Sequence, residues 1–189
     1  ETFDLMLLVG HHTRSGTPGG LLSHTWSGQV VQNFWIGGEV VGEIALNSAT
    51  AGAFGVPIGL VTGTDRLMAE AVEPLPPTVV GVEVKRTLGP TAAICKPPAV
   101  TSKLIREGAT EAVRRLHAGT LSALVPEAPV VMEIQTYRRE MADKAMRAPH
   151  VERVDEDRFR TVAPNAAIAA ERMWHAVVRA HDVTPGWLE

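Results

Sequence analysis

The sequence predicts an α/β protein: a sheet flanked by helices in three layers, with a smaller α+β part towards the C-terminus. Three observations carry this. Short apolar runs of strand length, Leu5–Val9 and Pro57–Gly63 foremost, are separated by stretches of helical periodicity. The clearest such stretch, Pro97–Ala118, puts Val100, Leu104, Ile105, Ala109, Ala112, Val113 and Leu116 on one face and Lys103, Arg106, Glu107, Arg114 and Arg115 opposite. Strands and helices alternate along the chain without repeats, low-complexity tracts or long linkers.

Leu5–Val9 reads as a strand buried on both faces, closed by Gly10. His11 and His12 follow at once, and a loop rich in Gly, Ser, Thr and Pro leads to His24, Thr25 and Trp26. Ser27–Val41 holds two β-branched and aromatic runs around Gly37-Gly38, a pair that supplies the positive φ angles of a tight hairpin. Gly42–Phe54 is Ala-rich and stops at Gly55, as a helix with a glycine terminator does. After the Pro57–Gly63 strand, Thr64 or Asp65 caps a helix running to about Val72, and the Pro-rich segment from Pro74 ends it. Thr78–Val84 and Ala128–Tyr137 are further strands. Arg138–Met146 is a short helix, and Val151–Val162 makes two strands around Asp155-Glu156-Asp157. Pro164, suited to a first helical position, opens a last helix to about His181. The weakly periodic segment Arg86–Pro98 suggests a seam, giving units 1–84 and 85–189.

Composition excludes several classes. At 189 residues, 45% hydrophobic and 21% charged, the chain has the makeup of a soluble globular protein. A formal charge of −3 argues against nucleic acid or an anionic membrane as partner. Cys95 is the single cysteine, which leaves no internal disulfide and no thiolate metal cluster, and the expected setting is the reducing cytoplasm. No apolar run is long enough to span a bilayer. The chain opens at Glu1 rather than Met, and is expected to start within a longer protein.

The residues suited to chemistry are His11, His12, His24, Glu43, Asn47 and Asp65. Adjacent strand residues point to opposite faces, so only one of His11 and His12 is expected to face a site beyond the strand end. A strand-end histidine and a first-turn glutamate suit zinc, which takes nitrogen and carboxylate ligands. Glu43 has a second explanation, since acids favour first turns through the helix dipole. His24 suits a general acid, base or nucleophile, and equally a loop histidine bonded to nearby backbone. Glu43 and Asn47, four apart, share a helix face. His117, His150, His175 and His181 have no clustered partner in sequence and read as solvated or interface residues.

The motifs themselves carry a resemblance. LMLLVGHHTRSGTPGGLLSHTWSG and NFWIGGEVVGEIALNSATAGAFGVPIGLVTG, with the APVVME strand and the VERVDEDRF turn, resemble the zinc-dependent D-aminopeptidases of the DppA type. That family shows a strand ending in G-aromatic-H, a glycine-containing loop ending in H-T, a G-E-x-x-x-N helix start and a V-P-V-x-x-V-T-G-D strand. The likeness implies His12 and Glu43 as zinc ligands, His11 in the place of the family's aromatic residue, and His24 as the catalytic histidine. It also implies Asn47, Gly19 and Gly20 as substrate-binding residues, and two zinc ions as cofactors. The expected reaction is hydrolysis of the N-terminal peptide bond of short peptides that begin with a D-residue. The expected assembly is a closed homo-oligomer, a decamer on the family's pattern, with contacts through the Ser27–Val41 hairpin or Trp187. The family's N-terminal S-x-D-x-E-G strand and a further ligand histidine have no counterpart here, so the remaining zinc ligands are expected from a segment outside this chain. Two alternatives stand beside this reading: an amidase acting on another small amide, and a non-catalytic assembly or binding subunit.

Overall fold

A computed structural model describes residues 3–71 and 75–181. In chain order the elements are β1 (Met6–Leu8), β2 (Val31–Ile36), β3 (Glu39–Val40), α1 (Glu43–Gly52), β4 (Ile58–Thr64), α2 (Asp65–Ala71) and β5 (Val80–Gly89). They continue as β6 (Ala92–Cys95), α3 (Pro98–His117), β7 (Val130–Thr136), α4 (Arg139–Ala145), β8 (Glu152–Arg153), β9 (Arg158–Ala163) and α5 (Ala166–Ala180). Two sheets share them. The first runs β1-β4-β5-β6, parallel except at its β5–β6 hairpin, and the second runs β3-β2-β7-β9-β8, antiparallel throughout.

The strand buried on both faces is β4, not β1. Every residue of β4 is buried, between β1 and β5 and beneath α2 and α3. Among the described residues β1 pairs on one side only, and Leu8 is buried while Leu7 and Val9 are exposed. An apolar run reports affinity for a core but does not say whether a strand is central or at an edge.

Helix α1 ties the sheets together. Ile44 packs with Leu8, Ile58, Val61 and Leu67 of the first sheet's core, while Leu46 and Ala49 join Phe34, Ile134, Phe159 and Met173 of the second. This double packing explains the small, apolar sequence of the helix, and it fixes Glu43 where the two sheets meet. Phe34 is fully buried. Its neighbour Trp35, on the opposite face of β2, lies under the Arg158 guanidinium, 4.7 Å from the ring centroid. Within this chain Phe34 is thus buried and Trp35 half-buried. Trp187, the other aromatic expected at a subunit contact, lies outside the described residues.

Several local expectations are met. Gly37 and Gly38 have φ of 60° and 90° and turn β2 into β3. Thr64 caps α2, its hydroxyl accepting the Leu67 N–H at 3.1 Å. Other details differ. Asn165, not Pro164, starts α5, its side-chain oxygen accepting the Ile168 N–H at 3.0 Å. The segment Arg86–Pro98 forms the far half of β5 and all of β6, and the expected division at 84/85 falls inside β5. Its hairpin leaves Leu88 and Ile94 exposed, which removes the alternation that marks a half-buried strand. On α3 only Gly108 and Ala112 are fully buried, because the helix lies on the sheet by a narrow stripe where Gly108 meets Val82 and Leu60. No helix among the described residues is long and apolar enough to cross a membrane.

Replacing glycine by alanine inside a helix ordinarily gains about 1 kcal/mol. Gly52 is expected to reverse that sign. A methyl group there would run into the Leu124 carbonyl, its carbon only 2.8 Å away, and that contact is backbone that side-chain rotation cannot relieve. Gly52→Ala should destabilise by about 1–3 kcal/mol, read as a lowered urea midpoint with unchanged slope.

Candidate metal centre

Three chain segments bring the candidate residues together. The first is the end of β1, where pairing with β4 continues past the last strand residue. Thr62 accepts the Gly10 N–H on its hydroxyl and the His11 N–H on its carbonyl, both at 2.9 Å. Gly63 beside it lacks a side chain, and a Cβ there would lie 2.6 Å from the His11 carbonyl oxygen. The second segment is the loop to His24, and the third is the first turn of α1, which carries Glu43.

The geometry fixes the histidine tautomers. His12 Nδ1–H donates to the Thr13 carbonyl at 3.0 Å, and His24 Nδ1–H donates to the Leu22 carbonyl at 2.8 Å. A carbonyl only accepts, so both protons sit on Nδ1 and both Nε2 atoms are left as acceptors when the rings are neutral. Both Nε2 atoms face Glu43 Oε1, at 3.5 Å from His12 and 3.8 Å from His24. The two rings stack with centroids 3.8 Å apart and 16° between planes. Glu43 Oε1 also accepts the Trp26 N–H at 2.7 Å. Trp26 holds that bond with a φ of 56°, rare for a bulky residue, and its ring is wedged edge-on against Phe34 and Trp174.

His11 joins the cluster, contrary to the expectation that only one of the paired histidines faces the site. Strict alternation holds only while the backbone stays an extended strand, and β1 ends at Leu8, so the pair lies on irregular backbone beyond it. One nitrogen from each of His11 and His12 and one Glu43 oxygen lie within 4.8 Å of one another. His11 Nδ1 is buried without a hydrogen-bond partner. Two imidazoles and a carboxylate are donors that zinc takes. An unpartnered buried nitrogen, and ring nitrogens turned towards a carboxylate oxygen, are what a cation-binding pocket requires. Burial pushes the His11 imidazole below its ordinary value, the nearby His12 adds to the shift, Glu43 opposes it and His24 adds a little more.

Of the remaining candidates, Asn47 lies one turn beyond Glu43, half-buried. Gly19, at φ of 65°, is exposed on the loop. Gly20 is buried against Thr13 and Ser23, whose hydroxyls bond at 2.7 Å, and a Cβ there would collide with both oxygens, so its place is explained by packing. Asp65 turns away to accept the Thr87 N–H at 2.8 Å, a bond that lowers its pKa. Spacing along the chain missed two contributors, the Trp26 amide and Glu70. Glu70 accepts the Arg14 N–H on both oxygens at 3.0 Å and the Thr17 hydroxyl at 2.9 Å. A backbone donor has no residue signature, and Glu70 lies 56 residues beyond Arg14.

Fold and cluster together define a class: an α/β protein that gathers imidazole and carboxylate donors beyond the end of a parallel strand. The chain belongs to the D-aminopeptidase family, matching it over residues 1–175. It is similar in structure to the Zn-dependent D-aminopeptidase DppA from Bacillus subtilis, a self-compartmentalizing protease. The TM-score is 0.84 at 28% identity, over 94% of this chain and 64% of that one. A D-aminopeptidase of Bacillus subtilis (strain 168) is 39% identical over 107 residues, 57% of this chain and 38% of that protein. The chain thus spans less than two thirds of the length of either relative.

A folded state that disfavours protonated His11 binds fewer protons than the unfolded chain, whose imidazole has a pKa near 6.5. The associated stability is complete above that value and is lost as pH falls through the lower folded one. In chelator-treated protein the urea midpoint should therefore drop between pH 7.5 and pH 5, and His11→Phe should flatten the decline.

Proposed function

We propose that this chain carries part of the active site of a zinc-dependent aminopeptidase that cleaves the N-terminal peptide bond of short peptides beginning with a D-residue. The observation that carries the reading is the convergence of His12 Nε2 and Glu43 Oε1, 3.5 Å apart, with His24 stacked beside them. The family and the zinc dependence stated for the similar DppA support it. His12 and Glu43 are the proposed ligands, and the full site is proposed to hold two zinc ions, some of whose ligands come from a segment outside this chain. When bound, such a metal pair lowers the pKa of a water molecule and polarises the scissile carbonyl.

The chain's own residues do the rest. The Thr13 carbonyl holds His12 in the tautomer that offers Nε2, as a carbonyl partner commonly does for a ligating histidine. The Trp26 N–H orients Glu43 and stabilises its charge. His24, with Nδ1 anchored on Leu22 and Nε2 turned inward, is placed to take a proton from the attacking water and return it to the leaving amine. Asn47 and Gly19 are proposed to contact the substrate. Three results in the full-length protein test this. His12→Ala should lose zinc and activity together, measured by metal analysis and by cleavage of a dipeptide with an N-terminal D-residue. His24→Ala should lower turnover about 10²–10⁴-fold with zinc retained. Full-length protein with neither zinc nor cleavage of the peptide would overturn the reading.

A homo-oligomer is part of the same proposal, supported by the self-compartmentalizing assembly stated for DppA. The Ser27–Val41 hairpin lies at the edge of the second sheet, where β3 leaves Val40 exposed. Light scattering at micromolar concentration should give a mass several times that of one chain, and the mass of a single chain would remove the idea.

A further inference from the structure

We infer that Glu70 is a positioning residue that seats His24 on His12 by anchoring the glycine-rich loop between them. The inference rests on the reading of His24 as the proton carrier. Glu70 stands on α2, outside the donor cluster, and three hydrogen bonds reach its carboxylate from the loop: the Arg14 N–H to both oxygens and the Thr17 hydroxyl. Bonds to an ionised acceptor are roughly twice as strong as neutral ones. The Arg14 side chain also braces the loop, its Nη1 donating to the Ser15 carbonyl at 3.1 Å.

What Glu70 grips is the hinge of the site. Arg14 lies between Thr13 and Ser15, the two residues that hold the far end of the loop. The Thr13 carbonyl accepts the His24 N–H at 3.3 Å and its hydroxyl bonds Ser23, while the Ser15 N–H donates to the Thr25 hydroxyl at 3.2 Å. The loop has little apolar anchorage of its own. Gly16, Pro18 and Gly19 are exposed, and both glycines sit at positive φ, so polar bonds must offset the entropy of ordering it. The start of α1 closes on the same carboxylate. A Cβ at Gly42 would meet Arg14 Cβ at 2.6 Å and Glu70 Oε1 at 2.8 Å. Loop, α2 and the residue preceding Glu43 therefore meet at Glu70, and a shift there moves His24 relative to Glu43.

The test compares Glu70→Ala, Glu70→Gln, His24→Ala and the Glu70→Ala/His24→Ala double variant in the full-length protein. Glu70→Ala should lower kcat roughly 10- to 100-fold, the scale of a catalytic group displaced by about 1 Å, with zinc content and KM close to wild type. Glu70→Gln keeps one acceptor oxygen and should recover part of the loss. In the His24→Ala background, Glu70→Ala should cost nothing more, because it acts through a group already removed. A readout independent of turnover is the NMR of ¹⁵N-labelled histidine. The His24 ring signals, shifted by the stacked His12 ring, should move towards free imidazole in Glu70→Ala.

An equal cost of Glu70→Ala with and without His24, or unmoved His24 signals, overturns the inference and leaves the proposed function standing. If His24→Ala leaves turnover intact, the proposed function fails instead, and the NMR shift still decides whether Glu70 seats His24. Should Glu70→Ala fail to fold, Thr17→Val removes a single bond, and the same coupling and shift, smaller in size, are expected of it.

Discussion

Glu43 is the point on which the structure converges. Its Oε1 accepts the Trp26 amide and faces the Nε2 atoms of His12 and His24. His12 comes from the end of β1 and His24 and Trp26 from the loop that follows, while Glu43 stands on α1. The carboxylate can hold them in register only because its helix is itself immobilised, packed against the cores of both sheets. A residue on the first turn of such a helix inherits the rigidity of the whole domain. That rigidity matters because a metal or proton-transfer site tolerates displacements well below an ångström.

Close approach of backbone is the second requirement, and glycine meets it where it counts. Gly63 lets the His11 carbonyl come down onto β4, and Gly42 lets the loop and α2 close on the start of α1. At either position a methyl group would collide with backbone or with an anchored side chain. Trp26 is the opposite case, a bulky residue held at positive φ. Its ring contacts with Phe34 and Trp174 secure a conformation that costs on the order of 1–3 kcal/mol, and the return is an N–H aimed at Glu43.

The sheet edge and the donor cluster lie close together at one end of the first sheet. The first sheet ends at β1, an edge strand with exposed Leu7 and Val9 beside an apolar cleft of about 710 Å³ lined by Phe3, Leu5, Met6, Leu7, Ala51, Phe54 and Val56. The donor cluster opens beyond the carboxyl end of that same strand.

Much of this was legible in the sequence. The choice of His12 over His11 came from the family resemblance. Strand and helix positions followed from apolar periodicity, the hairpin turn from Gly37-Gly38, and a strand-end histidine and first-turn acid as candidate donors from their places at element ends. These are local signals, set by a residue's own backbone preferences and those of its near neighbours. Tertiary structure alone decided that β4 and not β1 lies at the sheet's centre, since an apolar run has the same pattern in either place. It alone brought His11 into the cluster, because β1 ends at Leu8 and the alternation that would have sent His11 away does not extend to the pair. And it alone joined Glu70 to the loop and the Trp26 amide to Glu43. Hydrogen bonds between distant segments leave no periodicity behind, and a backbone N–H is the same in every residue but proline.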